Sequence, residues 1–295
     1  MKDTISRKAR VLMSTQLLVM SFIFSGCSFF TPRASTVFEP AKEFSRTYED
    51  IAPEEEHVIG RAVAARILGR YRVLNNASLN DYLARIGLTL AAKSSRPDPF
   101  AGYSFALLES DEVNAMATPS GFVFITTGLL RLLDDEDALA SILAHEISHV
   151  TQRHGLQVID PEHYGSYIQI GGVAASAIDC SGLTQQTAAA FSKAVGDVFD
   201  TLVFKGYSRQ QEYEADQGAR ELLTKSGYRS SALNNVLGIL SQTPGKTGGW
   251  FSTHPNPRER LTQLPAISTD SPNTHKGFEV RRTRFKEACK GAPIR

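Results

Sequence analysis

Leu143-Ala144-His145-Glu146-Ile147-Ser148-His149-Val150 is an HExxH pattern set in a strongly helical stretch. At about 100° per residue, His145 and His149 lie within about 40° of each other, so both imidazoles can face one point. Leu143, Ile147 and Val150 fall on the roughly opposite face, which predicts a helix with one side in a core and the other toward a cleft. Zinc suits two neutral imidazoles plus a carboxylate and keeps a fourth position for water, whose pKa it lowers toward about 7. Glu146 stands next to that position, where a carboxylate can take a proton from attacking water and later deliver it to a leaving amine.

The carboxylate is sought further along the chain, in Glu212-Tyr213-Glu214-Ala215-Asp216 on a later helix. Glu212 and Asp216 are one turn apart on the same face. Glu212 can be the third ligand, and Asp216 can accept a hydrogen bond from the other ring nitrogen of a ligand histidine, setting its tautomer. Glu214 points about 160° away from Asp216 and is expected to be a bystander. A third histidine ligand of the metzincin kind needs glycine at 152 and histidine at 155, where this chain has Gln152 and Gly155. His154 is therefore placed near the helix end, interacting with the C-terminal dipole. Asp134 or Asp135 can cap the helix and Gly155 can stop it.

The 295 residues are 42% hydrophobic, enough for one substantial core or two modest ones, and Lys plus Arg (32) nearly balances Asp plus Glu (31). No global field would recruit nucleic acid, so no nucleic-acid partner is expected. Lys2, Arg7, Lys8 and Arg10 precede an apolar run from Val11 to Phe24, read as a secretory signal over residues 1–26. Phe24-Ser25-Gly26-Cys27 resembles a bacterial lipoprotein box, with Phe24 in place of the usual leucine. The resemblance implies lipid on Cys27, a membrane anchor there, and, from Ser28, sorting to the outer membrane of a Gram-negative cell, facing the periplasm. Cys180 and Cys289 remain, and an oxidising compartment would permit them to pair.

Residues 27–50, with Pro32 and Pro40, read as a tether, and ordered structure is expected from about Pro53. Apolar spacing predicts helices over 54–74, 79–93, 208–225 and 230–241. Runs at 103–108 and 122–127 predict a small sheet, and the segment around Asn114 to Ala117 a strand whose edge could take an extended peptide. Residues 165–205 predict buried or mobile helices. The metal-binding domain is drawn at 51–265, and 266–295 reads as a basic, poorly specified tail.

Taken with Asn114-Ala115-Met116-Ala117-Thr118-Pro119-Ser120-Gly121, Gly128-Leu129-Leu130 and Thr253-His254-Pro255 followed by Arg260, the two metal motifs resemble the zinc metallopeptidase family that includes the prenyl-protein proteases. The likeness is to its soluble, membrane-tethered periplasmic branch and covers most of residues 50–264. It implies an α+β, mainly helical zincin-like fold with a small sheet beside the HExxH helix, and one zinc per chain. It also implies hydrolysis of protein or peptide substrates in the cell envelope, with Glu212 carried over as ligand and Asp216 behind it. Ser120 stands where glycine is more usual, which touches a turn rather than the metal site. The family places the histidine of the His-Pro segment near the active site. His254 can then close zinc's open position at rest, help bind substrate or oxyanion, or simply occupy a turn.

Three function classes follow: an endopeptidase that removes misfolded or misassembled envelope proteins, possible self-inhibition by His254 included; a periplasmic chaperone or assembly factor for outer-membrane proteins in which proteolysis is secondary; and a structural metal-binding lipoprotein. Glu146 beside His145 argues against the last, because structural zinc sites fill all four positions with protein ligands.

Overall fold

A computed structural model describes residues 47–160, 185–242, 249–254, 256–264 and 272–290. Residues 1–26, Cys27 and most of the expected tether lie outside them, as do Cys180 and Pro255. No helix among the described residues is long and apolar enough to cross a membrane.

The first helix, α1 (Pro53–Arg70), begins with proline at N1 and three glutamates in its first turn, Glu55 accepting from the Ala52 N–H. The strand β1 (Arg72–Val73) and helix α2 (Ala77–Ala91) follow, α2 capped by Asn76 on the Leu79 N–H. Then come β2 (Ser104–Glu109), β3 (Ala115–Ala117) and β4 (Phe122–Thr126). The HExxH helix is α3 (Glu136–Thr151), capped by Asp135 on the Ala138 N–H. Next are α4 (Gln185–Asp200) and α5 (Arg209–Lys225), whose Ser208 and Gln211 form a capping box. Helices α6 (Ala232–Ser241), α7 (Pro257–Gln263) and α8 (Pro272–Cys289) complete the set. The architecture is the α+β arrangement expected, mostly helical with one small sheet.

The sheet has the order β1-β2-β4-β3, with β2 parallel to β4 and both outer strands antiparallel to their neighbours. Because side chains alternate along a strand, the sheet serves two cores. Leu107, Ala115, Ala117, Val123 and Ile125 join α2, α3, α5 and α6 in one. Leu108, Met116 and Phe124 join α1 and α4 in the other. The segment expected as an edge strand is β3, paired only with β4 and packed beside α3.

Two glycines set approaches that matter for the cleft. A Cβ on Gly218 of α5 would lie 2.8 Å from Ser148 Oγ of α3, so its absence lets the two motif-bearing helices close on each other. A Cβ on Gly60 of α1 would lie 1.8 Å from the Pro119 carbonyl oxygen, so α1 carries the turn that holds β3 and β4 together. In that turn Ser120 has φ 61°, the left-handed conformation that explains why glycine suits the position. Its N–H donates to Glu56 and its hydroxyl to the Phe100 carbonyl.

Two expectations are corrected. Helix α3 ends at Thr151 rather than at Gly155, because Arg153 takes a left-handed conformation (φ 56°) and the chain re-enters a single helical turn at His154–Gln157. The end of the chain is not a poorly specified tail over its described part, since α8 packs on α3 and buries Phe285. Its arginines meet two fully buried carboxylates in the first turn of α3: Arg281 pairs with Asp137, 3.0 Å at Nη2, and Arg284 with Glu136, 2.6 Å at Nε. Arg229 shares Asp137 at 2.9 Å, and Tyr82 and Tyr228 donate to Glu136. In Arg281→Ala, Asp137 keeps one of two cationic partners, and a loss of about 1–3 kcal/mol is expected from the denaturant midpoint. An unchanged midpoint would show that Arg229 alone satisfies the carboxylate.

Candidate metal centre

Helix α3 presents His145, Glu146 and His149; α5 presents Glu212 and Asp216; a single turn at Trp250–Thr253 delivers His254; and α7 supplies Arg260. All seven side chains are buried. The Nε2 atoms of His145 and His149 are 3.1 Å apart, and each lies 3.5 Å from an oxygen of Glu212. His254 approaches from the other side, its Nδ1 2.9 Å and 3.1 Å from the Glu212 oxygens and its Nε2 3.9 Å from Glu146 Oε1. One donor atom from each of His145, His149, Glu212 and His254 falls within 4.8 Å of the others. The sequence-predicted residues thus meet at one point, His254 included.

Behind these donors, Asp216 Oδ1 lies 3.0 Å from His145 Nδ1, and Arg260 grips Asp216 through Nε at 2.8 Å and a short second contact through Nη2. Arg260 Nη1 sits 3.1 Å from Glu212 Oε2 without hydrogen-bond alignment, so that contact is coulombic. Burial opposes ionisation of Asp216, yet Arg260 and then His145 outweigh it and hold the carboxyl at about 2. Burial opposes ionisation of Glu212 too, and His254, Arg260 and the α3 imidazoles hold it well below its ordinary value. An ionised Asp216 can only accept, so His145 donates from Nδ1 and turns the Nε2 lone pair toward Glu212.

The donor set fits a cation. With their rings neutral, His145 and His149 would turn lone pairs on an anionic carboxylate inside a fully buried pocket, an arrangement that repels itself unless positive charge, a proton or a metal ion, sits between. The imidazoles respond to that field unequally. Burial and Arg260 push His145 down, but Asp216 and Glu212 outweigh them and lift it to about 9; burial pushes His149 well below 6.5. Two or three imidazoles and one carboxylate at this spacing suit a single zinc ion.

Glu146 lies to one side of the donors. Burial raises its carboxyl above the ordinary value, and its Oε1 has no hydrogen-bond partner among the described residues. The small cavity beside it is lined by Ala115 and Met116 of β3 and by Tyr207, Thr253 and His254. A buried carboxylate with a free oxygen and a raised pKa is a competent proton acceptor.

Two expectations fail around this centre, and two contributors went unforeseen. His154 stands just past the end of α3, as expected, but in place of a dipole contact its ring is fully buried with Nδ1 2.8 Å from His149 Nδ1. Glu214 is not a bystander, since its Oε2 lies 3.2 Å from His154 Nε2. Periodicity along α5 did place Glu214 off the Glu212 face, but the left-handed Arg153 swings His154 out to meet it, which no helical wheel anticipates. Tyr207 stacks on His149, ring centroids 4.2 Å apart, and Trp250 stacks on His254 at 3.8 Å. An aromatic just ahead of the Ser208 cap was the available signal for Tyr207.

The family description "Peptidase family M48" matches residues 77–268. Among curated proteins, the beta-barrel assembly-enhancing protease of Escherichia coli (strain K12) is 28% identical over 211 residues, 70% of this chain and 42% of that protein. Metalloprotease YcaL of the same strain is 29% identical over 163 residues, 55% of this chain and 60% of its own. Mitochondrial metalloendopeptidase OMA1 of Schizosaccharomyces pombe is 26% identical over 186 residues, 62% and 51% of the two chains. The chain spans about half the length of the curated relatives it matches. The matched region contains every residue of the centre from Asn114 to Arg260, and the donor geometry and the sequence match agree that the chain belongs to peptidase family M48.

Proposed function

We propose that this chain is a zinc-dependent endopeptidase of the Gram-negative cell envelope that cleaves misfolded or misassembled proteins, tethered by lipid at Cys27 to the outer membrane and facing the periplasm. His145, His149 and Glu212 hold the zinc, Glu146 is the general base, and Asp216 with Arg260 steadies His145. The observation that carries the reading is the unpartnered, buried Oε1 of Glu146 beside a converged His145–His149–Glu212 donor set. Zinc held there supplies Lewis acidity, activating water and stabilising a developing oxyanion. Glu146 takes the proton released when water attacks the peptide carbonyl and returns it to the leaving amine. The relative named a beta-barrel assembly-enhancing protease supports the envelope setting, and the relative named a metalloprotease supports the reaction. Purified protein with zinc should cut an unfolded protein such as reduced casein, lose that activity to a chelator and regain it on zinc addition. Failure of both the zinc-loaded wild-type chain and His254→Ala to cut any unfolded protein would sink the reading.

His254 holds the enzyme closed at rest. What supports this is that its ring is stacked on Trp250, bonded to Glu212 and has a donor atom within 4.8 Å of those of His145, His149 and Glu212. In His254→Ala, turnover of an unfolded protein is expected to rise about tenfold, equivalent to ~1.4 kcal/mol of closed-state preference. A fall in turnover would assign the imidazole to substrate or oxyanion binding, and no change would leave it a turn residue. The same closure supports a second reading, an assembly factor whose proteolysis is secondary. That role would survive Glu146→Gln in cells.

A further inference from the structure

We infer that His154 and Glu214 form a hydrogen-bonded relay that sets the tautomer and orientation of His149, making both of them positioning residues for the metal centre. The inference rests on the reading that His149 ligates zinc. His149 Nδ1 and His154 Nδ1 are 2.8 Å apart, so one of them must carry the proton that the other accepts. The neighbours decide which. His154 Nε2 faces the Glu214 carboxylate at 3.2 Å, and a carboxylate accepts, so His154 carries its proton on Nε2. In the neutral ring its Nδ1 is then a lone pair, and His149 donates to it from Nδ1. That leaves the His149 Nε2 lone pair directed at the point shared with His145 Nε2 and Glu212. The reverse assignment would set a lone pair of His154 against the Glu214 carboxylate and put an N–H of His149 at the point a cation would occupy.

The outer end of the relay is itself held. Gln210 Nε2 donates to Glu214 Oε1 at 2.7 Å, one turn earlier on α5, so the two carboxylate oxygens have separate donors. The inner end is confined by Tyr207, whose ring stacks on His149 and lies 5.9 Å from His154. Arg153 in its left-handed conformation turns the chain so that His154 comes under α3 rather than continuing it.

The two α3 histidines are therefore braced by different means. His145 leans on a buried carboxylate clamped by Arg260, whereas His149 leans on a neutral imidazole whose carboxylate partner is 40% exposed. Partners of this kind typically change metal affinity by about 10–100-fold when removed.

Zinc affinity, measured by competition with a chromophoric chelator on the whole chain, tests the relay. His154→Leu keeps bulk but removes the acceptor, and zinc binding should weaken by about 10–100-fold with KM unchanged at saturating zinc. His154→Asn keeps an acceptor oxygen near the Nδ1 position and should recover most of the loss. Glu214→Ala, at the half-exposed end where folding is not at stake, should weaken zinc by up to about tenfold. Leucine and wild-type chains of equal affinity would overturn the relay, as would asparagine and leucine variants equally weakened. If the leucine variant does not fold, unchanged affinity in Glu214→Ala overturns it alone. A wild-type chain that takes up no zinc would instead bring down the metal reading beneath it.

Discussion

Cleavage of an unfolded protein by Glu146→Gln is expected to fall by about 10²–10⁴-fold while the chain still takes up one zinc. Glutamine matches glutamate in shape, so the packing of α3 is kept, and Glu146 is outside the group of converged donors. What is lost is the ability to accept a proton at an oxygen that has no partner in the resting site. Because burial already disfavours the charged carboxylate, the neutral amide should fold at least as well. Steady-state cleavage and bound zinc, measured on the same preparation, check this. Retention of activity within tenfold would remove Glu146 as the base, and loss of zinc would mean that it ligates.

The second large effect concerns stability. Arg260→Leu removes the guanidinium that lies against both Asp216 and Glu212, leaving two fully buried carboxylates short of their cation. Breaking a buried pair from one side costs about 3–5 kcal/mol. Zinc offsets the Glu212 part, so the loss in denaturant midpoint should be greater with chelator than with zinc. The pH dependence follows from the direction of the Asp216 shift. Its carboxyl is depressed from 3.8 to about 2, so the stabilisation it brings is fully present above 3.8 and is lost as pH falls through about 2. In Arg260→Leu that acid-side loss should shift upward, toward the ordinary carboxylate range. A midpoint equal to wild type under both conditions would show that Arg260 contributes no net stabilisation.

Local patterns were sufficient wherever the chemistry rides on one regular element. Helical spacing alone put His145 and His149 side by side, Glu146 beside them, and Asp216 one turn from Glu212. The aspartate cap of α3 at 134 or 135 and the short runs that became β2 and β4 were legible for the same reason, since each depends on neighbours a few residues away. The α8 helix was not legible, because its sequence is polar around most of its surface. It is held by arginines whose partners, Glu136 and Asp137, lie more than a hundred residues earlier.

By itself, then, the sequence determined the candidate metal-binding and proton-accepting groups and the helices that carry them, because those follow from short-range periodicity. Only the tertiary structure decided what surrounds them. The closeness of α3 and α5 at Gly218, the arrival of His254 against Glu212 and the clamp of Arg260 on Asp216 depend on packing between distant segments. The turn at Arg153 that hands His154 to Glu214 depends on a backbone conformation that residue type does not announce.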